Sequence, residues 1–197
     1  MAQKEDNRET EVKFSVPSAE TIRLAAEEVG AVCVQEARLE RNLRFDDAQK
    51  SLCKNNQVLR LRDNGGTAVL TFKSDRFSNE KLADREEIET VVEDFNRARL
   101  ILERLGYGIF FIYEKLRSIY SLHGTEIFFD HTPIGDFVEI EGPDEDKIRG
   151  TAEKIGLCWE SRSGKGYRAV FNKWKKETGY PGRDMTFDGI SAWKQAE

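Results

Sequence analysis

Segments of apolar–polar alternation recur along this chain, and in most of them the polar face is built from full charges. Glu9, Glu11 and Lys13 share one face of a segment whose other face carries Val12, Phe14 and Val16. Arg60 and Arg62 oppose Leu59 and Leu61, and Lys73 opposes Ala68, Leu70 and Phe72. Arg85, Glu87 and Glu89 line up next, followed by Lys115 and Arg117, and then by Glu126 and Asp130 around Ile127 and Phe129. Glu139 and Glu141 close the series opposite Val138 and Ile140. A period of two marks a strand. The pattern predicts strands over 9–16, 32–46, 57–63, 67–74, 85–92, 109–120, 125–131 and 136–141, with a last one near 166–172.

Three segments have helical spacing instead. Residues 18–29 start at Ser18 and stop at Gly30; 94–105 start at Asp94 and stop at Gly106; 143–155 start at Pro143-Asp144 and stop at Gly156. Capping oxygens before a helix and glycine just after it are the expected boundary chemistry. Asn64-Gly65-Gly66 predicts a hairpin turn. Many strands and few helices give an α+β class on a largely antiparallel sheet. Residues 1–176 read as one domain, and 177–197 as a loosely attached tail of unknown role.

The charged faces can be read in two ways. On a solvated sheet face, cross-strand ion pairs would contribute a few tenths of a kcal/mol each. The helices, however, have apolar stripes that must be covered, and the apolar sheet face is the natural cover. With helices outside, the charges turn inward and the sheet curls into a barrel. Its interior must hold water and ligand, because unpaired charges in a dry interior cost several kcal/mol each. A polyanion with divalent metal suits such a lining, since Mg²⁺ takes one or two carboxylates together with phosphate oxygens and water.

The net charge of −5, from 31 Lys and Arg against 36 Asp and Glu, argues against a general nucleic-acid partner. Cys33, Cys53 and Cys158 form no C-x-x-C pair, which argues against a zinc site or a disulfide framework. No apolar run reaches the length of a membrane span, and the N-terminal stretch is polar. A cytoplasmic protein without a membrane partner is expected. No G-x-x-x-x-G-K-[ST] is present, so a Walker-type NTPase is ruled out.

Glu9-Thr10-Glu11-Val12-Lys13 is an E-x-E-x-K motif at the start of a strand. Leu-Arg-Leu-Arg (59–62), Leu-Thr-Phe-Lys (70–73), Arg-Glu-Glu-Ile-Glu (85–89) and Gly-Asp-Phe-Val-Glu-Ile-Glu (135–141) follow in order. With these the chain resembles, over about residues 8–172, the CYTH family of triphosphate tunnel metalloenzymes, which includes class IV adenylyl cyclases, thiamine triphosphatases and inorganic triphosphatases. The resemblance implies an eight-stranded antiparallel barrel with helices outside. It implies Mg²⁺ or Mn²⁺ on Glu9, Glu11, Glu139, Glu141 and Asp130, and a triphosphate held by Lys13, Arg60, Arg62, Lys73, Arg85, Lys115, Arg117 and Lys165. Lys13, Glu87 and Glu89 are the expected catalytic residues. Gly164-Lys165-Gly166-Tyr167 is similar to the family's closing Lys-Ser-Tyr element, with Gly for Ser. Two departures stand out. Where the family's second strand reads Q-x-D-x-Y-F-D, this chain has Glu40-Arg41-Asn42-Leu43-Arg44-Phe45-Asp46, and no His-Phe pair precedes the E-x-E-x-K motif as in some class IV cyclases.

The resemblance implies a metal-dependent enzyme acting on inorganic triphosphate, ATP or thiamine triphosphate, as a monomer or a homodimer. Hydrolysis is the preferred reading, because no adenine-binding motif is recognisable. A class IV adenylyl cyclase, making cyclic AMP and pyrophosphate, is the first alternative. A non-catalytic polyphosphate or nucleotide binding module is the second.

Overall fold

The computed structural model describes residues 8–196. The polar N-terminal stretch 1–7 lies outside the described residues. Eight strands form one antiparallel sheet: β1 (Arg8–Val16), β2 (Val32–Asp46), β3 (Val58–Asp63), β4 (Ala68–Asp75), β5 (Ala83–Val92), β6 (Gly108–Leu122), β7 (Thr125–Thr132) and β8 (Gly135–Glu141). Their order around the sheet is β1-β5-β4-β3-β2-β6-β7-β8, and β1 closes the ring by pairing β5 along Arg8–Glu11 and β8 along Glu11–Val16. Closure removes the two free edges that an open sheet of this length would present.

Six α-helices among the described residues lie outside: α1 (Ala19–Glu28), the single turn α2 (Ser51–Lys54), α3 (Phe95–Arg104), α4 (Glu145–Lys154), α5 (Tyr167–Thr178) and α6 (Phe187–Ala196). The expected caps form. Ser18, Asp94 and Asp144 side chains accept from the amides of Thr21, Arg97 and Lys147 at 3.2, 2.9 and 2.8 Å. The chain leaves α1, α3 and α4 through Gly30, Gly106 and Gly156 at positive φ, a region that costs a side chain energy and glycine almost none.

The apolar core sits between barrel and helices. Val12, Phe14, Ile127, Phe129, Val138 and Ile140 point outward and pack under Ala19 and Ala26 of α1 and Ile148 and Ala152 of α4. Leu43, Phe45 and Leu61 meet Leu102 of α3 in a second cluster. Each such side chain contributes roughly 1.5–3 kcal/mol on burial. Because the apolar alternates are used up outside, the charged alternates must face the interior.

Two expectations are corrected at the C-terminal end. Residues 166–172 are not a strand; Tyr167 opens α5, in which Tyr167, Val170, Phe171 and Trp174 recur at helical spacing. A short window that also fits period two hides this face. The segment after Thr178 is not loosely attached either. Met185 forms a parallel bridge with Tyr113, its amide donating to Ile112 O and its carbonyl accepting from Glu114 N, both at 2.9 Å. Asp184 Oδ1 accepts from Ile112 N at 2.9 Å. This covers the part of the β6 edge that β7, which pairs only with Leu116–Leu122, leaves open. Tyr180, Met185 and Ile190 are buried against Phe111 and Phe171, with Trp174 and Trp193 packed beside them.

Candidate active site

The barrel encloses a cavity of about 850 Å³. Its lining carries ten basic side chains (Arg8, Lys13, Arg44, Arg60, Arg62, Lys73, Arg85, Lys115, Arg117, Arg168) and seven acidic ones (Glu9, Glu11, Glu87, Glu89, Glu126, Glu139, Glu141). The interior thus has a surplus of three positive charges inside a chain whose net charge is −5. A local cationic interior within an acidic protein concentrates anions in the tunnel rather than over the whole surface.

Strand register places the pairs. Glu9 lies opposite Arg85, Lys13 opposite Glu139, and Lys73 opposite Glu87. Lys73 Nζ lies 2.5 and 2.6 Å from the two Glu9 oxygens and 3.0 Å from Glu87 Oε1. Arg60 Nη2 donates to Glu89 Oε1 and to Thr71 Oγ1, each at 3.1 Å, and Thr71 in turn donates to Glu89 at 2.6 Å. Lys13 Nζ donates to Glu139 Oε1 at 2.5 Å, and Arg117 donates to the other Glu139 oxygen. Arg62 donates to Asn42 Oδ1 at 3.1 Å and pairs with Glu40 at 3.5 Å.

These networks set the protonation states. Burial raises the Glu9 carboxyl, but Lys73, with Arg85 and Arg60, outweighs it and holds Glu9 below the usual carboxylate range. Burial likewise acts against Glu89 and Glu40, yet their guanidinium and ammonium neighbours bring each to about 2. Glu87 goes the other way. Burial, reinforced by Glu9 and Glu89, pushes it up to about 8 despite Lys73. At neutral pH it carries a proton, and the positive surplus of the lining grows by one.

All the expected site residues except Lys165 and Asp130 line the cavity. Lys165 is half-exposed and pairs with Glu80 at 3.5 Å. Asp130 is fully buried behind the lining, where it accepts Arg117 bidentately at 2.6 and 2.6 Å, Lys115 at 3.1 Å and Tyr167 Oη at 2.5 Å. Its oxygens are occupied by the groups it positions.

The sequence reading missed Arg8, Arg44, Tyr113, Phe128 and Arg168 as lining residues, whereas Glu126, placed on a charged strand face, does line the cavity. Arg44 was legible in principle, since it alternates with Glu40, Asn42 and Asp46 along the 32–46 segment. Arg168 was hidden by the strand reading of its helix. Tyr167 reaches the cavity because Ser163 and Lys13 exchange both backbone hydrogen bonds at 2.8 Å. Gly164 makes that crossing possible: a Cβ there would lie 2.6 Å from Asn79 O. The centroid of the Tyr167 ring then lies 4.3 Å from Lys13 Nζ and 4.9 Å from Lys115 Nζ, a cation–π arrangement with each.

The lining suits a hard divalent cation in donor type, since its anionic groups are all carboxylates. Among the described residues no group of three or more His, Cys, Asp or Glu side chains is assembled as a metal cage. Glu11 lies opposite Glu141, and Glu141 opposite Glu126, on adjacent strands. One or two carboxylates completed by phosphate oxygens and water is the usual Mg²⁺ arrangement, so the residues fit a metal that arrives with the phosphates.

The CYTH domain family model matches residues 7–165, four-fifths of the chain. This chain belongs to the CYTH family. Relatives agree with that placement. The CYTH chain is 25% identical over 135 residues to a Methanocaldococcus jannaschii protein named provisionally as an adenylate cyclase, covering 68% of this chain and 75% of that protein. Among solved structures, the PH1012 protein of Pyrococcus horikoshii OT3 superposes with a TM-score of 0.71 at 26% identity, over 82% of this chain and 98% of that one. A Hippeastrum protein proposed as an adenylyl cyclase and described as having a dominant triphosphatase activity shares the fold, with a TM-score of 0.61 at 20% identity over 84% and 95% of the two chains. No helix among the described residues is long and apolar enough to cross a membrane.

Proposed function

We propose that this CYTH protein binds a triphosphate-bearing small molecule in the barrel and hydrolyses it with the aid of a divalent metal. The observation that carries the reading is the cavity itself, in which 17 of 23 lining residues are ionisable as Asp, Glu, Lys or Arg and the balance is positive. Lys13, Arg60, Arg62, Lys73, Arg85, Lys115 and Arg117 form the phosphate cradle. Arg holds phosphate oxygens bidentately, while Lys follows them as a point charge. Glu9, Glu11, Glu139 and Glu141 are the candidate metal-holding carboxylates, of which Glu9 is held by Lys73 and Glu139 by Lys13 and Arg117. A bound Mg²⁺ or Mn²⁺ would polarise phosphoryl oxygens and neutralise developing charge.

Phosphoryl transfer asks for positioning and charge neutralisation more than covalent chemistry from the protein. Cations that now pair with carboxylates exchange those partners for phosphate oxygens. Glu87, protonated near neutral pH, becomes the acceptor for a proton from attacking water as the pH approaches 8. Glu89, held ionised by Arg60 and Thr71, keeps that guanidinium aimed inward.

Cyclisation of ATP is the second reading, supported by the name of the Methanocaldococcus jannaschii relative. Hydrolysis is preferred because no adenine-recognition motif is recognisable in the sequence, and the apolar lining residues Val58, Ile88, Tyr113, Phe128 and Tyr167 are dispersed among charged ones. A binding module without turnover would have no use for Glu11 opposite Glu141. Release of phosphate from inorganic triphosphate with Mg²⁺ or Mn²⁺ tests the reading. Glu9→Gln with Glu11→Gln should abolish it while the circular dichroism spectrum stays that of the wild type. Full turnover in the folded double variant would remove these carboxylates from the chemistry.

A further inference from the structure

Seven of the tunnel cations, Arg8, Lys13, Arg60, Arg62, Lys73, Lys115 and Arg117, each have a carboxylate within 4.0 Å. Arg44 and Arg168, which also line the cavity, have none among the described residues, as is also true of Arg85. The guanidinium groups of Arg44 and Arg168 gather on one ring instead, 5.7 and 4.5 Å from the centroid of Phe110. Arg168 Nη1 donates to the Cys53 sulfur at 2.9 Å, a weak acceptor, and burial, helped by Asp46, keeps that thiol protonated. Arg44 Nε is buried with no hydrogen-bond partner. A buried donor left in that state costs free energy that an incoming acceptor recovers.

Position ties this pair to the phosphate cradle. Arg44 on β2 lies directly opposite Arg60 on β3. Burial lowers the Arg44 pKa, and the nearby charges of Arg60 and Arg168 add to the effect. Guanidinium groups brought together without counter-charge are the arrangement expected of an anion site. The start of α5 adds to it. Gly166, Tyr167 and Arg168 all line the cavity, and no side chain caps this twelve-residue helix. First-turn amides without side-chain caps and the helix dipole both favour an anion there.

We propose that Arg44 and Arg168 form an additional anion subsite next to the triphosphate cradle, which favours linear oligophosphates of four or more phosphates over triphosphates. This deepens the proposed function and rests on it. Both guanidinium groups lie beside Phe110, and their remaining N–H donors suit phosphate oxygens.

Calorimetric titration of the full chain in EDTA-containing buffer with inorganic triphosphate and inorganic tetraphosphate tests the subsite without reference to turnover. The wild type should bind tetraphosphate roughly tenfold more tightly than triphosphate. Arg168→Gln and Arg44→Gln should each erase most of that preference while changing triphosphate affinity by no more than about twofold. Arg44→Lys, which keeps the charge and loses the fork, guards against a folding defect in the glutamine variant and should also lose most of the preference. Equal affinities in the wild type would overturn the proposal, as would a preference that survives in the folded variants. ATP binding that weakens in the variants while tetraphosphate binding does not would assign the pair to a base instead. If the wild type binds neither phosphate in EDTA nor with Mg²⁺ added, the proposed function fails along with the subsite; if triphosphate alone binds well, only the subsite fails.

Discussion

Glu87 is the tunnel residue whose removal should stabilise the protein. Lys73 places its ammonium on both Glu9 oxygens and reaches Glu87 at 3.0 Å, so one cation serves two carboxylates. Glu89 is committed to Arg60 and Thr71. The remaining carboxyl, buried and beside two anions, takes up a proton, and its pKa rises from 4.5 to about 8. Between those values the folded chain holds a proton that the unfolded chain has released. Folding stability therefore falls as pH rises through this window. Every tenfold gain in proton affinity is worth about 1.4 kcal/mol, so the full penalty approaches roughly 5 kcal/mol, with relaxation of the site reducing it. Glu87→Gln keeps the shape and removes the titration. Urea unfolding at pH 5 and pH 8.5 should show the variant gaining about 3–5 kcal/mol on the wild type between the two conditions. A difference that is the same at both pH values would refute the reasoning.

Two further outcomes follow from the same geometry. Asp130→Asn leaves Arg117 and Lys115 short of a buried counter-charge and should cost about 3–5 kcal/mol in chemical denaturation; a cost under about 1 kcal/mol would show that Asp130 does not hold these bases. Gly164→Ala drives a methyl into the Asn79 and Leu82 backbone and should lower Tm by several degrees while weakening triphosphate binding through displaced Tyr167, whereas an unchanged melt and affinity would deny the crossing that role.

The barrel was legible because two periodicities agreed. Val12, Phe14, Val138 and Ile140 demanded cover, the amphipathic helices supplied it, and the charges between them had nowhere to go but inward. Residues on regular strands, such as Glu9, Arg60, Lys73 and Glu139, could therefore be assigned to the interior from alternation alone. Arg168 could not, because a helix that starts at the barrel wall places its first residues in the cavity by its entry angle, which short-range pattern does not record. Asp130 shows the opposite limit. Alternation placed it with the charged face, but the chain folds Tyr167, Arg117 and Lys115 over it, and only the packing reveals that it works from behind the lining. Met185 bridging to Tyr113 was equally invisible, since one residue of edge pairing carries no period.

The claim that this tunnel hydrolyses triphosphate is tested most directly by ³¹P NMR of the purified protein with Mg²⁺ or Mn²⁺ and equimolar ATP and inorganic triphosphate. The account predicts orthophosphate and pyrophosphate from inorganic triphosphate, ATP left intact, and no reaction in EDTA. A cyclic phosphodiester signal with matching pyrophosphate from ATP, or no metal-dependent turnover of either compound, would contradict it.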